Sequence, residues 1–427
     1  MDRKWTLCIN KKNIPISVLM LVCTNKWLFE GVLQMKFLTV ILLGTVLLIT
    51  LLQKRFHICL TSGIWLLYCF NILLSVTISG FSFSAWGNAI LMVEIVLFTM
   101  TCSYTELNFN KIFRLLVIIA AFHTFFVLLQ LAAEESFQSL YFPILPTGAK
   151  ENAMRYSRLG YNFGLLYSPH EVAGILSFSI AGLLLWRVIE RKGKVKNYFL
   201  VIILSVTLFL VGKKGVLGLA VLSFIICVLI LYGSRKQWHR AIFTVAAAYL
   251  MFQMAKYYIM THPDNTVFYR MYQFFDNLNK GKAVDSGRNI LYAIAVSEWN
   301  SHKLFGIGWY HFVSKTVTDY GYNSWHQVNL DYLQWLCETG IIGLILNLIP
   351  LVTTLYQAVF ISRKVIRRED NEQEKWMIIF AVFIQLFTAA YAFIEVPFYD
   401  IYFFSMYMIS CMIINGVYAD RKKYKNW

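Results

Sequence analysis

Long apolar stretches dominate this chain and decide what it can fold into. About twelve stretches are long and apolar enough to be candidate membrane spans. They cover residues 14–34, 37–53, 58–79, 85–104, 112–133, 164–187, 198–212, 215–232, 241–260, 340–360, 376–394 and 399–418. Because 58% of the 427 residues are hydrophobic and only 15% are charged, a water-soluble core could not bury this much apolar surface. The sequence predicts an all-α polytopic membrane protein, a single integral membrane domain over 1–427 with about 12 transmembrane helices.

Basic residues are concentrated in alternate connections between these spans. They cluster at both termini and near residues 54–55, 111–114, 187–196, 235–240 and 363–375. Positive charge in short connections marks the cytoplasmic side of a membrane protein, so we expect both termini in the cytoplasm. This bias, together with anionic lipid headgroups, accounts for the net charge of +16 without a nucleic acid partner.

Two connections on the opposite, external side are much longer than the others: residues 134–163 and residues 261–339. A connection longer than about 15 residues in a compact fold usually has a function. Periodic apolar residues after Arg288 predict short helices within the second loop. Residues 327–339, at its end, are expected to form a re-entrant helix. We therefore expect the second loop to be the catalytic one.

The eight cysteines lie in or near the spans or in the N-terminal tail, and no Cys-x-x-Cys pair occurs. This distribution predicts neither a disulfide framework nor a zinc site.

Several cations lie on the external side, where no topogenic rule favours them. Lys213 and Lys214 occupy a short turn between two spans, and Arg158 and Arg288 lie in the two external loops. A cation at bilayer depth costs about 2.5–3.5 kcal/mol, so such side chains usually face a cavity or a partner. Snorkelling of the lysines and an ion pair between Arg288 and Asp285 are the structural alternatives. A single diphosphate bound between the two turn lysines, Arg158 and Arg288 would account for all of these cations.

Two histidines are candidates for a functional role. His170 follows a proline at a predicted helix start, where free backbone N–H groups favour an anion. His326 lies shortly before the Glu338-Thr339-Gly340 segment. A loop histidine is more often structural than catalytic, but imidazole is the side chain best suited to accept a proton near neutral pH.

Aromatic residues crowd the second external loop. Trp309, Trp325 and Tyr332 are among them. An interfacial aromatic belt explains some of these rings. Flat rings between polar residues also suit stacking on sugars, and the sequence leaves both interpretations open.

Together these motifs resemble those of the O-antigen ligase and polymerase family of bacterial envelope glycan enzymes. The matching segments are Arg158-x-Gly160, Ser168-Pro169-His170, Lys213-Lys214-Gly215, Arg288, Lys303-Leu304-Phe305-Gly306-Ile307-Gly308 and Leu333-Gln334-Trp335-Leu336-Cys337-Glu338-Thr339-Gly340-Ile341-Ile342-Gly343. The last segment is the most specific. The resemblance covers roughly residues 150–360 by motif and the remainder by hydropathy.

The resemblance implies a helical GT-C-like fold and a metal-independent, inverting glycosyltransferase without a cofactor. Its substrates would be an undecaprenyl-diphosphate-linked glycan donor and an acceptor sugar, at the outer face of the bacterial cytoplasmic (inner) membrane. The implied catalytic residues are His326 and Arg288. The implied diphosphate-binding residues are Arg158, Lys213, Lys214 and Arg288. The possible acceptor or sugar contacts are Trp325, Asn329, Tyr332, Trp309 and His170.

One position in this scheme is ambiguous. The place that corresponds to the family histidine is occupied by Asn329, and His326 lies about one helical turn earlier. Both residues therefore remain candidates for the position that readies the acceptor.

The leading functional hypothesis is a polymerase of lipid-linked repeat units for capsule, exopolysaccharide or O-antigen. Its expected partners are membrane lipid and possibly a flippase and a chain-length regulator. A ligase that transfers finished glycan to another acceptor would use the same residues. A transporter of anions or lipid-linked sugars, with Glu94 or His123 within its spans, and a structural envelope scaffold are the alternatives from other classes.

Overall fold

The computed structural model describes residues 14–25, 38–52, 60–78, 82–101, 108–166, 168–190, 196–234, 237–263, 269–281, 288–321, 326–367 and 371–423. All regular structure within these ranges is helical, which confirms the predicted all-α class. In chain order the helices are α1 (Ile14–Thr24), α2 (Leu38–Leu52), α3 (Leu60–Ile78), α4 (Phe83–Thr101), α5 (Phe109–Ala132), α6 (Glu134–Tyr141), α7 (Thr147–Arg158), α8 (Pro169–Glu190), α9 (Lys196–Leu210), α10 (Lys214–Ser234), α11 (Trp238–Thr261), α12 (Tyr269–Asn279), α13 (Arg288–Ser301), α14 (Phe312–Thr318), α15 (Asp331–Ile366), α16 (Glu372–Tyr391) and α17 (Ile401–Lys423).

Each predicted span overlaps one of these helices. Among the described residues, seven helices are long and apolar enough to cross a membrane, namely α4, α5, α8, α10, α15, α16 and α17. Helices α2, α3 and α9 contain shorter apolar segments. A helix satisfies its own backbone hydrogen bonds, so it is the natural form for an apolar segment in lipid. The chain is a multi-pass membrane protein, and the number twelve stays a prediction.

Helices α16 and α17 form the centre of the bundle. Of the residues in their membrane-spanning segments, 78% are buried in α16 and 89% in α17, compared with 28% in α10. They pack against each other, and α16 also packs against α8, α10 and α15. In this core the Trp376 indole donates to the backbone carbonyl of Gly182, at 2.9 Å. The connection between α16 and α17 is consequently held at the middle of one end of the bundle.

The two long connections fold into short helices of their own. Residues 134–163 contain α6 and α7, which pack around a small apolar cluster that includes Phe137 and Phe163. Residues 261–339 contain α12, α13 and α14, as the sequence predicted for this loop. Helices α13 and α14 share a second cluster with the start of α15, including Ile294 and Phe312. Both connections therefore carry apolar contacts that hold their polar residues in place.

Candidate functional site

Helix α15 is broken at Gly340, and this break organises the site. Gly340 has φ 67° and ψ −171°, so residues 331–339 and 341–366 form two helical segments. Residues 303–308, the turn before α14, lie directly against the break. A Cβ added to Gly340 would lie 2.5 Å from the nitrogen of Phe305, and one added to Gly306 would lie 2.5 Å from the nitrogen of Thr339. Only glycine permits this approach of two backbones.

The turn supplies the hydrogen bonds that the broken helix lacks. The N–H groups of Ile307 and Gly308 donate to the carbonyls of Cys337 (3.0 Å) and Glu338 (2.8 Å). In the other direction, the Ile341 N–H donates to the Lys303 carbonyl at 2.9 Å. Helix ends otherwise leave such groups unsatisfied, which is costly next to lipid. The Gly-x-Gly turn and the Glu-Thr-Gly segment are therefore one structural unit.

The carboxylate of Glu338 fastens this unit to its surroundings. Glu338 is fully buried and accepts hydrogen bonds from four donors. They are the Tyr310 N–H (2.8 Å), the Phe312 N–H (3.1 Å), the Tyr399 hydroxyl (2.7 Å) and the Gln334 side-chain amide (3.3 Å). A buried carboxylate with this many donors is a positioning group. Glu338 thus orders the residues around it and has no surface for a substrate.

The connection between α16 and α17, residues 392–400, packs onto the same unit; we refer to it as the α16–α17 loop. The Asp331 N–H donates to the Ala392 carbonyl at 2.8 Å, and the Asp331 carboxylate accepts from the Phe398 N–H at 2.9 Å. The Tyr399 ring stacks on the Trp309 indole, with centroids 4.2 Å apart and planes 11° apart. These contacts fix the loop between the start of α15 and the turn before α14.

Within this loop Glu395 is the centre of a group of charged and hydrogen-bonding side chains, which we call the Glu395 cluster: His170, Lys213, Arg288 and Glu395. Arg288 Nη2 lies 2.8 Å from Glu395 Oε1, and Arg288 Nη1 donates to the carbonyl of Ile394. Lys213 Nζ lies 3.8 Å from the same carboxylate oxygen, and His170 Nδ1 lies 3.3 Å from it. Segments far apart in sequence thus meet at one carboxylate.

The hydrogen bonds of His170 define its tautomer. Lys213 Nζ lies 2.7 Å from His170 Nε2. An ammonium group only donates, so Nε2 accepts this bond and the ring proton belongs on Nδ1. His170 Nδ1 then donates to the Tyr391 hydroxyl at 2.9 Å, with Glu395 Oε1 also nearby. His170 is therefore a neutral imidazole that holds the Lys213 ammonium in position.

Glu395 is an anion at neutral pH in spite of its burial. Burial raises the pKa of its carboxyl, but the charges of Lys213 and Arg288 and the hydrogen bond from Arg288 act in the opposite direction and the net pKa is lowered. Burial lowers the pKa of the Arg288 guanidinium, but the Glu395 charge, the hydrogen bond to Glu395 and the nearby Tyr292 and Tyr391 together outweigh this and leave that pKa raised. The cluster is consequently ionised, with two fixed cations for one carboxylate.

Aromatic rings from the connection between α5 and α8 lie next to the Lys213 ammonium. Lys213 Nζ lies 4.9 Å from the Tyr161 ring centroid and 5.7 Å from that of Tyr156. The Arg155 guanidinium lies 5.2 Å from the Tyr156 centroid. The Asn162 side chain donates to the Leu210 carbonyl at 2.8 Å and ties this segment to the end of α9. Cation–π contacts place a third cation, Arg155, beside the Glu395 cluster.

The structure brings together some of the cations singled out in the sequence but not all. Lys213 and Arg288 meet at Glu395. Lys214 Nζ instead lies 4.5 Å from the ring centroid of Phe274 in α12. Arg158 is exposed at the end of α7, and Arg155, one turn earlier, is the α7 arginine that lies near the cluster.

His326 lies close enough to Arg155 for the guanidinium charge to act on its imidazole. Its backbone N–H donates to the Thr316 hydroxyl at 3.3 Å, and its side chain is half-buried. Burial lowers the pKa of the His326 imidazole, and the Arg155 charge lowers it further. Asn329, three residues later, has φ 59° and marks a tight turn before α15. His326 is therefore a neutral imidazole near Arg155.

The aromatic residues differ in what they can contact. Trp309 is fully buried, and its indole N–H donates to the Asn88 side chain at 2.9 Å. The Tyr332 hydroxyl donates to the Ala389 carbonyl at 2.8 Å, and Tyr332 is partly exposed. Trp309 therefore packs the site, whereas Tyr332 keeps some accessible surface. Trp325 lies outside the described residues.

Sequence reasoning missed Glu395, the residue on which the cluster is centred. The predicted spans ended at 394 and resumed at 399, so Glu395 was left in a short connection. The available signal was an acidic residue two positions before Pro397, in a short connection between two apolar runs. Only the three-dimensional structure reveals that Lys213 and Arg288 meet it.

Within the ranges that the structure describes, no three His, Cys, Asp or Glu side chains form a group that could bind a metal ion.

Comparison with known proteins identifies part of the chain. Residues 199–348 match the family model described as O-antigen ligase. This segment includes Lys213, Arg288, His326 and the Gly340 break, and it confirms the family resemblance expected from the motifs. No curated protein matches the chain. Glu395 and His170 lie on either side of the matched segment and join it in space.

Proposed function

We propose that this protein polymerises undecaprenyl-diphosphate-linked repeat units. The chain is a multi-pass membrane protein, and residues 199–348 match the O-antigen ligase family model. This match indicates glycosyl transfer from a lipid-linked glycan. The products would be capsule, exopolysaccharide or O-antigen chains, made at the outer face of the bacterial cytoplasmic membrane. The observation that supports this proposal best is the meeting of Lys213 and Arg288 at one partly exposed cluster.

The cluster suits a lipid diphosphate in both charge and shape. Lys213 and Arg288 supply two fixed cations, and Arg155 a third nearby. The side chain of Arg288 is 27% exposed, so part of the guanidinium fork can reach phosphate oxygens. Aromatic rings limit water access around Lys213, which strengthens its interaction with an anion. Arg158 and Lys214 would contact the diphosphate or its lipid from the rim.

The proposed reaction is an inverting displacement that needs no metal. The acceptor hydroxyl oxygen forms a bond to the anomeric carbon, and the bond between that carbon and the diphosphate oxygen breaks. The leaving diphosphate keeps the electron pair, and Lys213 and Arg288 stabilise the charge that develops on it. The acceptor proton passes to His326, a neutral imidazole. Asn329 remains the alternative for positioning the acceptor.

Sugar contacts complete the proposal. Tyr332 and His170 have partly accessible side chains beside the α16–α17 loop and would contact the acceptor or donor sugar. Trp325, which is not among the described residues, is proposed as a further sugar contact. Trp309 would act through packing. A flippase that delivers the donor and a chain-length regulator are the proposed protein partners.

The test is a reconstitution in proteoliposomes with a lipid-linked repeat unit and a gel readout of product length. Wild-type protein should yield a ladder, whereas Lys213→Ala and Arg288→Ala should leave single repeats. Lys315→Ala is the matched control, because Lys315 forms an ion pair with Glu298 (2.7 Å) in the same external region. A normal ladder from both cluster variants contradicts the proposal.

The same assay separates the alternatives. Transfer of the glycan only to a different, non-repeat acceptor would identify a ligase. Movement of the lipid-linked sugar across the membrane without a new glycosidic bond would identify a transporter.

A further inference from the structure

Glu395 is an unexpected residue in a site that receives a dianionic group. Its side chain is 13% exposed, and Oε1 lies 2.8 Å from Arg288 and 3.8 Å from Lys213. Any phosphate oxygen that binds the same two cations must approach this carboxylate. Like charges at such distances repel strongly where water is partly excluded. The carboxylate therefore weakens anion binding at the very cations that attract the anion.

Arg288 and Lys213 each have a partner besides the Glu395 carboxylate. Arg288 Nη1 donates to the Ile394 backbone carbonyl, and this bond does not depend on the Glu395 side chain. Lys213 is held by His170 at 2.7 Å and by the Tyr161 ring. Both cations would keep a partner without the carboxylate charge. The charge of Glu395 is thus the feature that requires an explanation.

The chemistry of the proposed reaction explains why a negative charge is present at this position, and this explanation rests on the proposed function. The donor is a diphosphate diester with two ionised oxygens. The departing product is a diphosphate monoester, whose terminal phosphate has a second ionisation near pH 6 and so carries additional charge at neutral pH. A site with unopposed cations would bind the product more tightly than the donor and would be slow to release it.

We propose that Glu395 is a specificity-determining residue that selects donor over product, because its fixed carboxylate repels the more highly charged diphosphate monoester. The carboxylate lowers the affinity of the site for both ligands, but it lowers the affinity for the product more. Glu395 thereby speeds release of the lipid diphosphate after each transfer.

The experiment uses the full-length protein in lipid nanodiscs and two matched probes. Farnesyl diphosphate represents the monoester, and its methyl ester at the terminal phosphate represents the diester. Farnesol measures the contribution of the lipid tail alone. Affinities are obtained by displacement of a fluorescent prenyl diphosphate for wild type, Glu395→Gln, Glu395→Asp and Glu298→Gln. Glu298 is the matched control, since its carboxylate pairs with Lys315 and is 10% exposed.

Glu395→Gln should bind farnesyl diphosphate about tenfold more tightly, a change of about 1.4 kcal/mol, and should bind the methyl ester with a smaller gain. Glu395→Asp and Glu298→Gln should match wild type within about twofold (about 0.4 kcal/mol). In the polymerisation assay, Glu395→Gln should lower both kcat and the inhibition constant for farnesyl diphosphate. A purely structural carboxylate would give the opposite result, because its loss would weaken both probes.

The proposal is overturned if Glu395→Gln binds farnesyl diphosphate more weakly than wild type does. It is also overturned if the substitution changes the affinities for farnesyl diphosphate and for its methyl ester by the same factor. Wild type alone provides a second test that needs no variant. A preference of wild type for the monoester of about a hundredfold (about 2.7 kcal/mol) overturns it as well. Failure of the underlying function looks different: wild type would then bind farnesyl diphosphate no better than farnesol, and Lys213→Ala would leave the affinity unchanged.

Discussion

Replacing Gly340 with alanine tests the frame on which the site is built. The backbone at Gly340 has φ 67° and ψ −171°, a region that is almost exclusive to glycine and costs another residue about 1–3 kcal/mol. The new methyl group would also lie 2.5 Å from the Phe305 nitrogen and closer still to the Leu304 carbonyl. Overpacking against backbone adds about 1–3 kcal/mol. We expect a total destabilisation of about 4 kcal/mol.

Two other glycines separate these contributions. Gly281 has φ 62° with nothing within 4 Å of a built Cβ, so Gly281→Ala reports backbone strain without a clash. Gly218 lies within α10, also with open space around it, and Gly218→Ala should be neutral or stabilising by up to about 1 kcal/mol. Folded protein remaining after heating, measured by fluorescence-detected size-exclusion chromatography, should fall in the order Gly218→Ala, Gly281→Ala, Gly340→Ala. If Gly340→Ala is as stable as Gly281→Ala, the backbone of residues 303–308 does not pack against Gly340 as closely as described.

Three further predictions concern individual side chains. Tyr399→Phe removes the 2.7 Å hydrogen bond to the buried Glu338 carboxylate while keeping the ring, and should lower the free energy of unfolding by about 1.5–3 kcal/mol in thermal melts. Lys213→Ala should reduce glycan elongation far more than Lys214→Ala, because the Lys213 ammonium lies 3.8 Å from Glu395, whereas the Lys214 ammonium lies over the Phe274 ring. His326 has a lowered pKa, so elongation should decline with falling pH only below the range in which an ordinary histidine becomes protonated, when this imidazole takes up its proton.

Each of these has a distinct contrary outcome. An unchanged melt for Tyr399→Phe would mean that Glu338 does not rely on that hydroxyl. Equal defects for the two lysine variants would argue that the turn acts through general charge. A rise in elongation as pH falls below about 6 would exclude a neutral His326 as proton acceptor.

Local patterns were sufficient to predict the helices and several site residues. Apolar length alone located α3, α5 and α8, because a helix is the only economical state for such a segment in lipid. Lys213 and Arg288 were recognisable because both fall in connections for which the charge pattern predicts the external side, where cations have no topogenic role. These inferences depend on composition within one segment.

The remaining features depend on contacts between distant segments, which local patterns do not encode. Adjacent lysines look alike in sequence, yet Lys213 turns to Glu395 and Lys214 to Phe274. The role of Glu338 as a buried acceptor for four donors follows from the Gly340 break and the α16–α17 loop. Glu395 lies more than a hundred residues after Arg288. The contact between Glu395 and Arg288 forms only when the helices pack into the bundle.

The most direct test of the central claim is a structure of the protein in nanodiscs with undecaprenyl diphosphate bound. We expect phosphate density within hydrogen-bonding distance of Lys213 Nζ and the Arg288 guanidinium, with the lipid tail leaving the cluster toward the membrane. Phosphate density elsewhere, with the Lys213–His170 and Arg288–Glu395 contacts undisturbed, would contradict the account.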